Sequence, residues 1–372
     1  HPCEPRLAIN LRLKHHTMQK QRRLTSRPTD ILIRLLLLLC MISACHAASG
    51  STADEQDTAS SIGPQHVGVV VNDNDPASQE IADWYMEKRG IPPENLIHIQ
   101  LTPGRSVMKP DRFRLVLDSV RVQTPATVQV YALAWTLPYR VGCMSITTAF
   151  AAGFDEAWCA SGCTASRESP YYDSDSRRPF DDLGLRPAMM LAGESPEDVR
   201  ALVDRGIAAD GSRPRGTGYL LSTGDRARNV RARFFPGILM MQSDRFDLKV
   251  IKGNTLRHRP GVMFYFTGLA RVDDIDSNRY RPGAIADHLT SAGGKLPGSG
   301  QMSSLEWLQA GATGSYGTVV EPCAFVQKFP RPDIVINRYL NGETLIEAYW
   351  KSVAWPGQGV FIGEPLAAPF RD

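Results

Sequence analysis

The sequence predicts an α/β fold, with a mostly parallel sheet and helices on both of its faces. The run over residues 67–71 is short, continuous and rich in β-branched side chains, which is typical of a strand buried on both faces. Strand and helix patterns then alternate along the chain, as they do where helices connect parallel strands. Residues 64–372 are enough for a single α/β domain that carries an insertion.

The elements are predicted in order from their hydrophobic spacing and their end signals. The first helix, over residues 78–89, has Ile81, Trp84 and Tyr85 at helical spacing and ends at Gly90. We expect the later strands over residues 96–101, 128–134, 218–222, 262–267, 314–320 and 359–362. We expect the later helices over residues 111–122, 196–206, 283–291, 303–310 and 340–352.

Residues 137–215 are rich in Gly, Pro, Ser and Asp, and we interpret them as an insertion whose excursion from the sheet covers residues 143–187. The four cysteines beyond residue 63 are Cys143, Cys159, Cys163 and Cys323. An even number in an exported protein favours disulfides. Pairing Cys159 with Cys163 leaves Cys143 for Cys323, and the two crossed pairings are equally allowed. The Cys159-x3-Cys163 spacing also permits zinc, but no His-x-x-x-His partner accompanies it.

Residues 18–47 have the three parts of a secretory signal peptide, namely a basic segment, an apolar run and small residues. The end of the run, Ile-Ser-Ala-Cys, fits cleavage before a lipid-bearing Cys45, while an ordinary signal would be cut after Ala47. A retained anchor helix is the third alternative, but Arg34 interrupts the run, which is shorter than the roughly 20 residues that a spanning helix needs.

Two further segments flank this leader. Met18 directly precedes the basic segment, so we expect translation to start there and residues 1–17 to lie upstream of the native chain. Residues 48–63 are small, polar and acidic, which is typical of a flexible tether. The expected location is the periplasm, the outer membrane or the cell surface, with membrane attachment through lipid if Cys45 is modified.

The charge balance changes when the leader is set aside. The whole chain has a formal charge of +3, but residues 1–45 hold eight of its 42 basic and two of its 39 acidic residues. The remainder is therefore near −3, and it has no basic tract with interleaved aromatic residues. Nucleic-acid binding has no electrostatic support in such a chain.

Several phrases together resemble an uncharacterised family of exported bacterial conserved hypothetical proteins. They include VVVNDNDPASQEIADWYMEKRGIPPENLI, ALAWTLPYRVGCMSITTAF, SPYYDSDS with DLGLRPAMMLAG, GAIADHLTSAGG, and the segment from GATGSYGTVVEPC to RYLNGETLIEAYWKSVAWPGQGVFIGEPLAAPF. The resemblance covers nearly everything after the tether. It implies export and the α/β layout, and it brings no activity and no catalytic residues.

The C-terminal third also resembles gingipain-type and caspase-like cysteine peptidases in its order of strands, helices and the final GEPL turn. This resemblance implies a flavodoxin-like or caspase-like strand order. Those peptidases need His-Gly at the end of one core strand and Cys at the end of the next. Thr267-Gly268 stands at the first position, and the second, around Thr290, has no cysteine. Cys323, which follows Glu321-Pro322, is expected in a disulfide, so the resemblance implies the fold without the thiol dyad.

Polar residues follow three predicted strands at the end where open α/β sheets bind ligands. They are Asn72 to Asp75, then Thr136, Tyr139 and Arg140, and finally Asp273, Asp274 and Asp276. If they converge, the carboxylates could bind Ca²⁺ or Mg²⁺, or act as acid and base. The alternative is that they form turns, because Asp and Asn hydrogen-bond to their own backbone there. The resulting candidate ligand or metal residues are Asp73, Asp75, Arg140, Asp273 and Asp274.

Two histidines have opposite interpretations. His98 lies in the middle of a predicted strand and is expected to be a satisfied core residue. His288, on the predicted helix beside Asp287, is a candidate base.

Two functions are compatible with the sequence. The first is a binding or scaffold protein of the cell envelope, with a protein or polymer partner. The second is a metal-assisted hydrolase that uses the Asp clusters, and it requires Asp73 and Asp75 to lie within about 10 Å of Asp273 and Asp274.

Overall fold

The structure is a computed structural model that describes residues 61–160, 162–241 and 246–372. The predicted signal peptide, the lipidation of Cys45 and most of the predicted tether lie outside these residues. Ile62, near the end of the predicted tether, is fully buried in the core. No helix within the described ranges is long and apolar enough to cross a membrane.

Thirteen strands and nine α-helices are defined within the described residues. The strands are β1 (Val67–Asn72), β2 (Leu96–Ile99), β3 (Val107–Met108), β4 (Val130–Leu133), β5 (Arg140–Val141), β6 (Met144–Ser145), β7 (Ala188–Met190), β8 (Gly216–Ser222), β9 (Phe246–Lys252), β10 (Val262–Thr267), β11 (Tyr280–His288), β12 (Gly314–Thr318) and β13 (Gly359–Gly363). The helices are α1 (Pro76–Arg89), α2 (Pro110–Gln123), α3 (Ile146–Ala152), α4 (Pro179–Leu183), α5 (Pro196–Ala209), α6 (Phe235–Ile238), α7 (Leu305–Gln309), α8 (Pro332–Leu340) and α9 (Leu345–Lys351).

Ten of the strands form one sheet in the order β2-β1-β4-β7-β13-β12-β11-β10-β8-β9. Every neighbouring pair is parallel except β12 and β13, which are antiparallel from Gly314 opposite Gly363 to Thr318 opposite Gly359. The prediction of a mostly parallel α/β sheet is therefore confirmed. Each half of the sheet follows the flavodoxin-like order. In the first half, β2 lies at the outer side of β1 and β4 lies at its inner side. In the second half, β9 lies at the outer side of β8 and β10 lies at its inner side.

The core lies on both faces of this sheet, as the complete burial of strands such as β1 and β10 shows. All six residues of β1 and all six of β10 are buried. One core cluster packs helices α1, α8 and α9 on one side, while a second packs the apolar face of α2, including Phe113 and Val120, on the other. This burial on two faces explains why the strands appear in the sequence as unbroken apolar runs.

Helix α1 shows how local sequence sets the element ends. The Asp75 side chain accepts a hydrogen bond from the Ala77 amide, and Pro76 occupies the first helical position. Gly90 ends the helix in the left-handed region at φ 62°, where glycine has no steric penalty. Asp75 is therefore a helix cap in this structure.

Two predicted helices are wrong in kind or extent. Residues 283–291 were expected to be helical, but the chain forms β11 there, with Gly283 to His288 all buried between β10 and β12. A short apolar run has no decisive period, and pairing on both sides determined its form. The helix predicted over residues 340–352 starts at Leu345, because Gly342 at φ 80° separates it from α8. Strands β7 and β9 were not predicted.

The insertion supplies β5 and β6 of the small sheet β3-β5-β6 and three of the four cysteines that form two disulfides. Cys143 pairs with Cys159 within the excursion, and Cys163 pairs with Cys323 in the segment after β12. The structure thus selects one of the crossed pairings over a local Cys159–Cys163 bond. All four of these cysteines form disulfides, as cysteines in proteins of oxidising compartments commonly do.

Candidate functional site

The predicted convergence of the three polar groups is wrong, because the sheet reverses direction at its centre. Strand β1 and its neighbours through β13 run one way, and β12 through β9 run the other. Asp73 follows β1 and Asp273 follows β10, and these strands are six positions apart in the sheet, about 29 Å at ordinary strand spacing. Because the two strands run in opposite directions, their carboxyl ends lie on opposite sides of the sheet. These two groups cannot share one metal site.

The remaining predicted residues have separate local partners. Asp274 adopts φ 60° and pairs with Arg257 at 2.6 Å, beside a surface pocket of about 380 Å³. Arg140 is half-buried in β5, opposite Val107 of β3. The Thr136 hydroxyl donates to the Gly193 carbonyl oxygen at 2.6 Å. Among the described residues, no group of three or more His, Cys, Asp or Glu side chains is placed to hold a metal ion.

Asp73 has one partner that the sequence did not suggest. Its Oδ1 lies 2.8 Å from Nδ1 of His98, and the two side chains are 36 % and 52 % exposed. His98 was expected to be a core residue, but β2 is an edge strand and this side chain points away from the core. The pair lines a pocket of about 300 Å³ with Gln100 and Arg112.

A second pocket of about 440 Å³ adjoins the first, because Arg112 lines both. We call it the cationic groove, and its lining residues are Leu101, Thr102, Arg105, Val107, Met108, Lys109, Arg112 and Pro138. Three of these eight are basic, and none carries a carboxylate. Arg105 and Lys109 have no ion-pair partner within the described part of the chain, and Arg112 donates to the Gln100 carbonyl oxygen at 3.3 Å.

The cationic groove lies at the carboxyl end of the first half of the sheet. Its walls come from the segment between β2 and α2, from β3, and from the segment after β4. This is the crevice near β1 and β4, where the strand order changes direction and where open α/β sheets bind ligands. Its position and its positive charge together make it the strongest candidate binding site.

Arg105, Lys109 and Arg112 were not among the predicted site residues, because those residues were chosen mainly for carboxylates and nucleophiles. A usable signal was present, since the three basic residues recur four and three positions apart around the start of the predicted helix over residues 111–122. Gln123, which contacts His98 from α2, had no signal in the sequence.

A buried ion pair occupies the interior of the second half of the sheet. Arg231 is 2 % and Asp287 is 1 % exposed, and their charged atoms lie 2.6 Å apart. Arg231 also donates to the carbonyl oxygens of Thr267 and Pro330. Burial raises the pKa of Asp287, and the Arg231 guanidinium opposes that shift. The pair joins β10 and β11 to the segment before α6.

His288 is a satisfied core residue, which corrects its interpretation as a candidate base. Trp307 Nε1 donates to His288 Nδ1 at 2.9 Å, so Nε2 carries the proton and donates to the Met302 carbonyl oxygen at 3.2 Å. Burial lowers the pKa of His288 to about 3. A neutral imidazole with both nitrogens engaged has no free position for proton transfer.

The buried His288 should make stability depend on pH. In the unfolded chain its pKa is near 6.5, whereas the folded chain excludes the proton until about pH 3. The contribution of His288 to the free energy of unfolding is therefore fully present above pH 6.5. It is lost as the pH falls from 6.5 towards 3, by up to about 1.4 kcal/mol per pH unit. We expect His288→Gln to remove this slope in urea unfolding measured between pH 7 and 4.5.

His258→Gln, at an exposed histidine, is the matched control and should keep the wild-type slope. An unchanged slope in His288→Gln would contradict the assignment.

The positions that carry His and Cys in the resembled peptidases hold threonines with other partners. The backbone carbonyl of Thr267 accepts from Arg231 at 2.7 Å. The Thr290 hydroxyl donates to Gln301 Oε1 at 2.7 Å and accepts from Arg228 Nε at 3.0 Å. Neither of these two residues is a histidine or a cysteine.

Comparisons with known proteins show no family to which this chain belongs. No protein-family model matches it, and no curated protein matches it. Among solved structures, it is similar to the complex of Porphyromonas gingivalis RgpB pro- and mature domains, with a TM-score of 0.42 and 8 % sequence identity, over 82 % of this chain and 79 % of that chain. At that level the likeness assigns no activity to this chain.

Proposed function

We propose that this protein is exported to the cell envelope and binds a segment of an acidic polymer in the cationic groove. The observation that carries the proposal is the lining itself, which contains three basic side chains and no carboxylate. Arginine and lysine in such a setting form charge-assisted hydrogen bonds to carboxylates or phosphates. Leu101, Met108 and Pro138 add an apolar floor for the uncharged part of a ligand.

The charge of the rest of the molecule supports a local site over general polyanion binding. The chain beyond residue 45 is near −3, so its overall charge repels polyanions. Only a ligand that reaches Arg105, Lys109 and Arg112 together gains from the groove. This favours a flexible acidic strand over a wide anionic surface such as duplex DNA.

The proposed location is supported by two independent features. The disulfides Cys143–Cys159 and Cys163–Cys323 are of the kind that persists in oxidising compartments. The leader over residues 18–47 has the form of a secretory signal, and modification of Cys45 would tether the protein to a membrane. A tethered binding protein would hold its acidic ligand close to the membrane.

The test is isothermal titration of the protein with oligogalacturonate, a flexible carboxylate polymer. We expect the variant Arg105→Ala/Lys109→Ala/Arg112→Ala to bind at least tenfold more weakly. It loses three charged contacts to the ligand, and a total loss of about 1.4 kcal/mol in binding free energy already raises Kd tenfold. Wild-type affinity should also fall as salt is raised, since the contacts are solvent-exposed.

The matched control removes three exposed basic residues in and near β8 and β9, in the variant Arg215→Ala/Arg226→Ala/Lys252→Ala. It carries the same change in net charge and should keep wild-type affinity. Equal losses in the two triple variants would show that only net charge matters and would overturn the proposal. Tighter binding of a duplex oligonucleotide than of oligogalacturonate would also overturn it.

A further inference from the structure

The pocket beside the cationic groove contains an oriented histidine. Asp73, His98 and Ser119 line it together with Arg112, the residue that it shares with the groove. A ligand whose acidic group contacts Arg112 from the groove would therefore bring its neighbouring atoms to this pocket. Leu115, which is 64 % exposed, provides an apolar wall on the same helix.

The Asp73 carboxylate selects one tautomer of His98. A carboxylate only accepts hydrogen bonds, so the His98 Nδ1 at 2.8 Å carries the proton and Nε2 is left as an acceptor. The backbone of Asp73 is itself fixed, because its amide donates to the Ile99 carbonyl oxygen at 2.9 Å. The hydrogen bond to Asp73 thus leaves Nε2 as the nitrogen of His98 that can take a proton.

Gln123 holds the backbone of His98. Its Oε1 accepts from the His98 amide at 2.9 Å, and its Nε2 donates to the His98 carbonyl oxygen at 2.9 Å. Because β2 is at the edge of the sheet, no strand of the described residues pairs with that side of His98, and the Gln123 side chain makes the hydrogen bonds that such a strand would make. Nε2 of Gln123 also donates to Ser119 Oγ at 3.1 Å, so the same side chain contacts both His98 and a residue of the pocket wall.

We propose that His98 is the general base of an esterase site, oriented by Asp73, and that its substrates are esters of the acidic ligand bound in the cationic groove. This inference rests on the proposed function. His98 Nε2 takes a proton from water while the water oxygen forms a bond to the ester carbonyl carbon. The ester C–O bond then breaks, and the departing alkoxide oxygen takes the proton back from His98. The products are an alcohol and a carboxylic acid, which releases its proton to solvent and becomes a carboxylate, and no metal or redox partner enters the balance.

The roles within the site differ. His98 contacts the reacting water, whereas Asp73 and Gln123 act through His98 and are positioning residues. Arg112, between the pocket and the groove, provides a positive charge close to the reacting carbonyl. A solvent-exposed contact such as that between Asp73 and His98 adds at most about 1 kcal/mol to stability, so variants of it should fold.

The experiment compares the hydrolysis of mono-4-nitrophenyl glutarate, which carries a carboxylate, with that of neutral 4-nitrophenyl acetate. We expect the wild type to favour the glutarate ester and His98→Gln to lower kcat at least 100-fold, within the usual range for general-base catalysis. His258→Gln, at an exposed histidine elsewhere, should leave the rate unchanged. Gln123→Leu should lower kcat about tenfold with KM unchanged, which a purely structural role would not produce.

Binding of oligogalacturonate to the same proteins separates the two proposals. If binding depends on the cationic groove but the ester is not hydrolysed, or is hydrolysed equally by His98→Gln, the esterase inference is overturned and the binding function stands. If binding does not depend on the groove, the proposed function fails first. Thermal unfolding of each variant confirms that it is folded before its rate is interpreted.

Discussion

Replacing Cys163 and Cys323 by serine is expected to lower the free energy of unfolding by about 5 kcal/mol, the largest effect of any change considered for this protein. The bond joins residues that are 160 positions apart in the chain. A cross-link stabilises mainly by restricting the unfolded chain, and its effect grows with the logarithm of the loop that it closes. Urea unfolding of the variant, compared with the wild type under non-reducing conditions, measures the loss.

The second disulfide is the matched control. Cys143 and Cys159 are 16 positions apart, so the same reasoning gives about 3 kcal/mol for the variant Cys143→Ser/Cys159→Ser. The order of the two losses is a sharper test than the size of either one. If the short-loop variant proves the less stable of the two, restriction of the unfolded chain is not the main source of the stabilisation.

The turn at Cys323 adds a local consequence. Cys323 and Ala324 both adopt left-handed backbone conformations, at φ 55° and 53°, which are unfavourable for residues other than glycine. Surrounding structure must hold them there, and the bond to Cys163 is one such restraint. Amide hydrogen exchange in the segment after β12 is therefore expected to accelerate in the Cys163→Ser/Cys323→Ser variant and to change little in the other.

Arg231→Met is expected to destabilise the protein by about 3–5 kcal/mol. The substitution leaves the Asp287 carboxyl buried without its counter-charge and leaves the Thr267 and Pro330 carbonyl oxygens without their donor. Burial already raises the pKa of Asp287, so without Arg231 the group should become protonated. Urea unfolding at neutral pH gives the size of the effect.

A double-mutant cycle shows whether the loss comes from the orphaned charge. Adding Asp287→Leu to Arg231→Met removes the isolated carboxyl, so the double variant should be at least about 1 kcal/mol more stable than Arg231→Met alone. Arg114→Met, which breaks an exposed pair with Asp111, should cost under about 1 kcal/mol. A double variant that is less stable than the single variant would show that the pair is not the source of the effect.

The outcome for the helices shows how far local reasoning extends. The helix predicted over residues 78–89 is correct because its signals are local, with apolar residues at helical spacing and Gly90 at its end. The helix predicted over residues 283–291 failed because its form depends on β10 and β12. The chain between His288 and β12 covers more than twenty residues, and no local signal reports which strands will flank β11.

In the candidate site, too, some residues have a local signal in the sequence and others are identified only by tertiary contacts. Asp73 could be selected from the sequence because Asp after a buried strand is a local signal, and it follows the carboxyl end of β1. Its partner His98 was assigned to the core, since strand spacing alone does not show that β2 is an edge strand. Gln123 lies 25 residues further along the chain and reaches His98 only because α2 packs against β2.

The sequence by itself determined the α/β class, the end of α1 at Gly90 and the even set of cysteines, because each depends on neighbouring residues. Only the tertiary structure decided the reversal at β12 and β13, which separates Asp73 from Asp273, and the pairing of Cys163 with Cys323. It also decided that the basic residues around the start of α2 line one groove. These features depend on which distant segments become neighbours, and that choice is made by burial of the whole core.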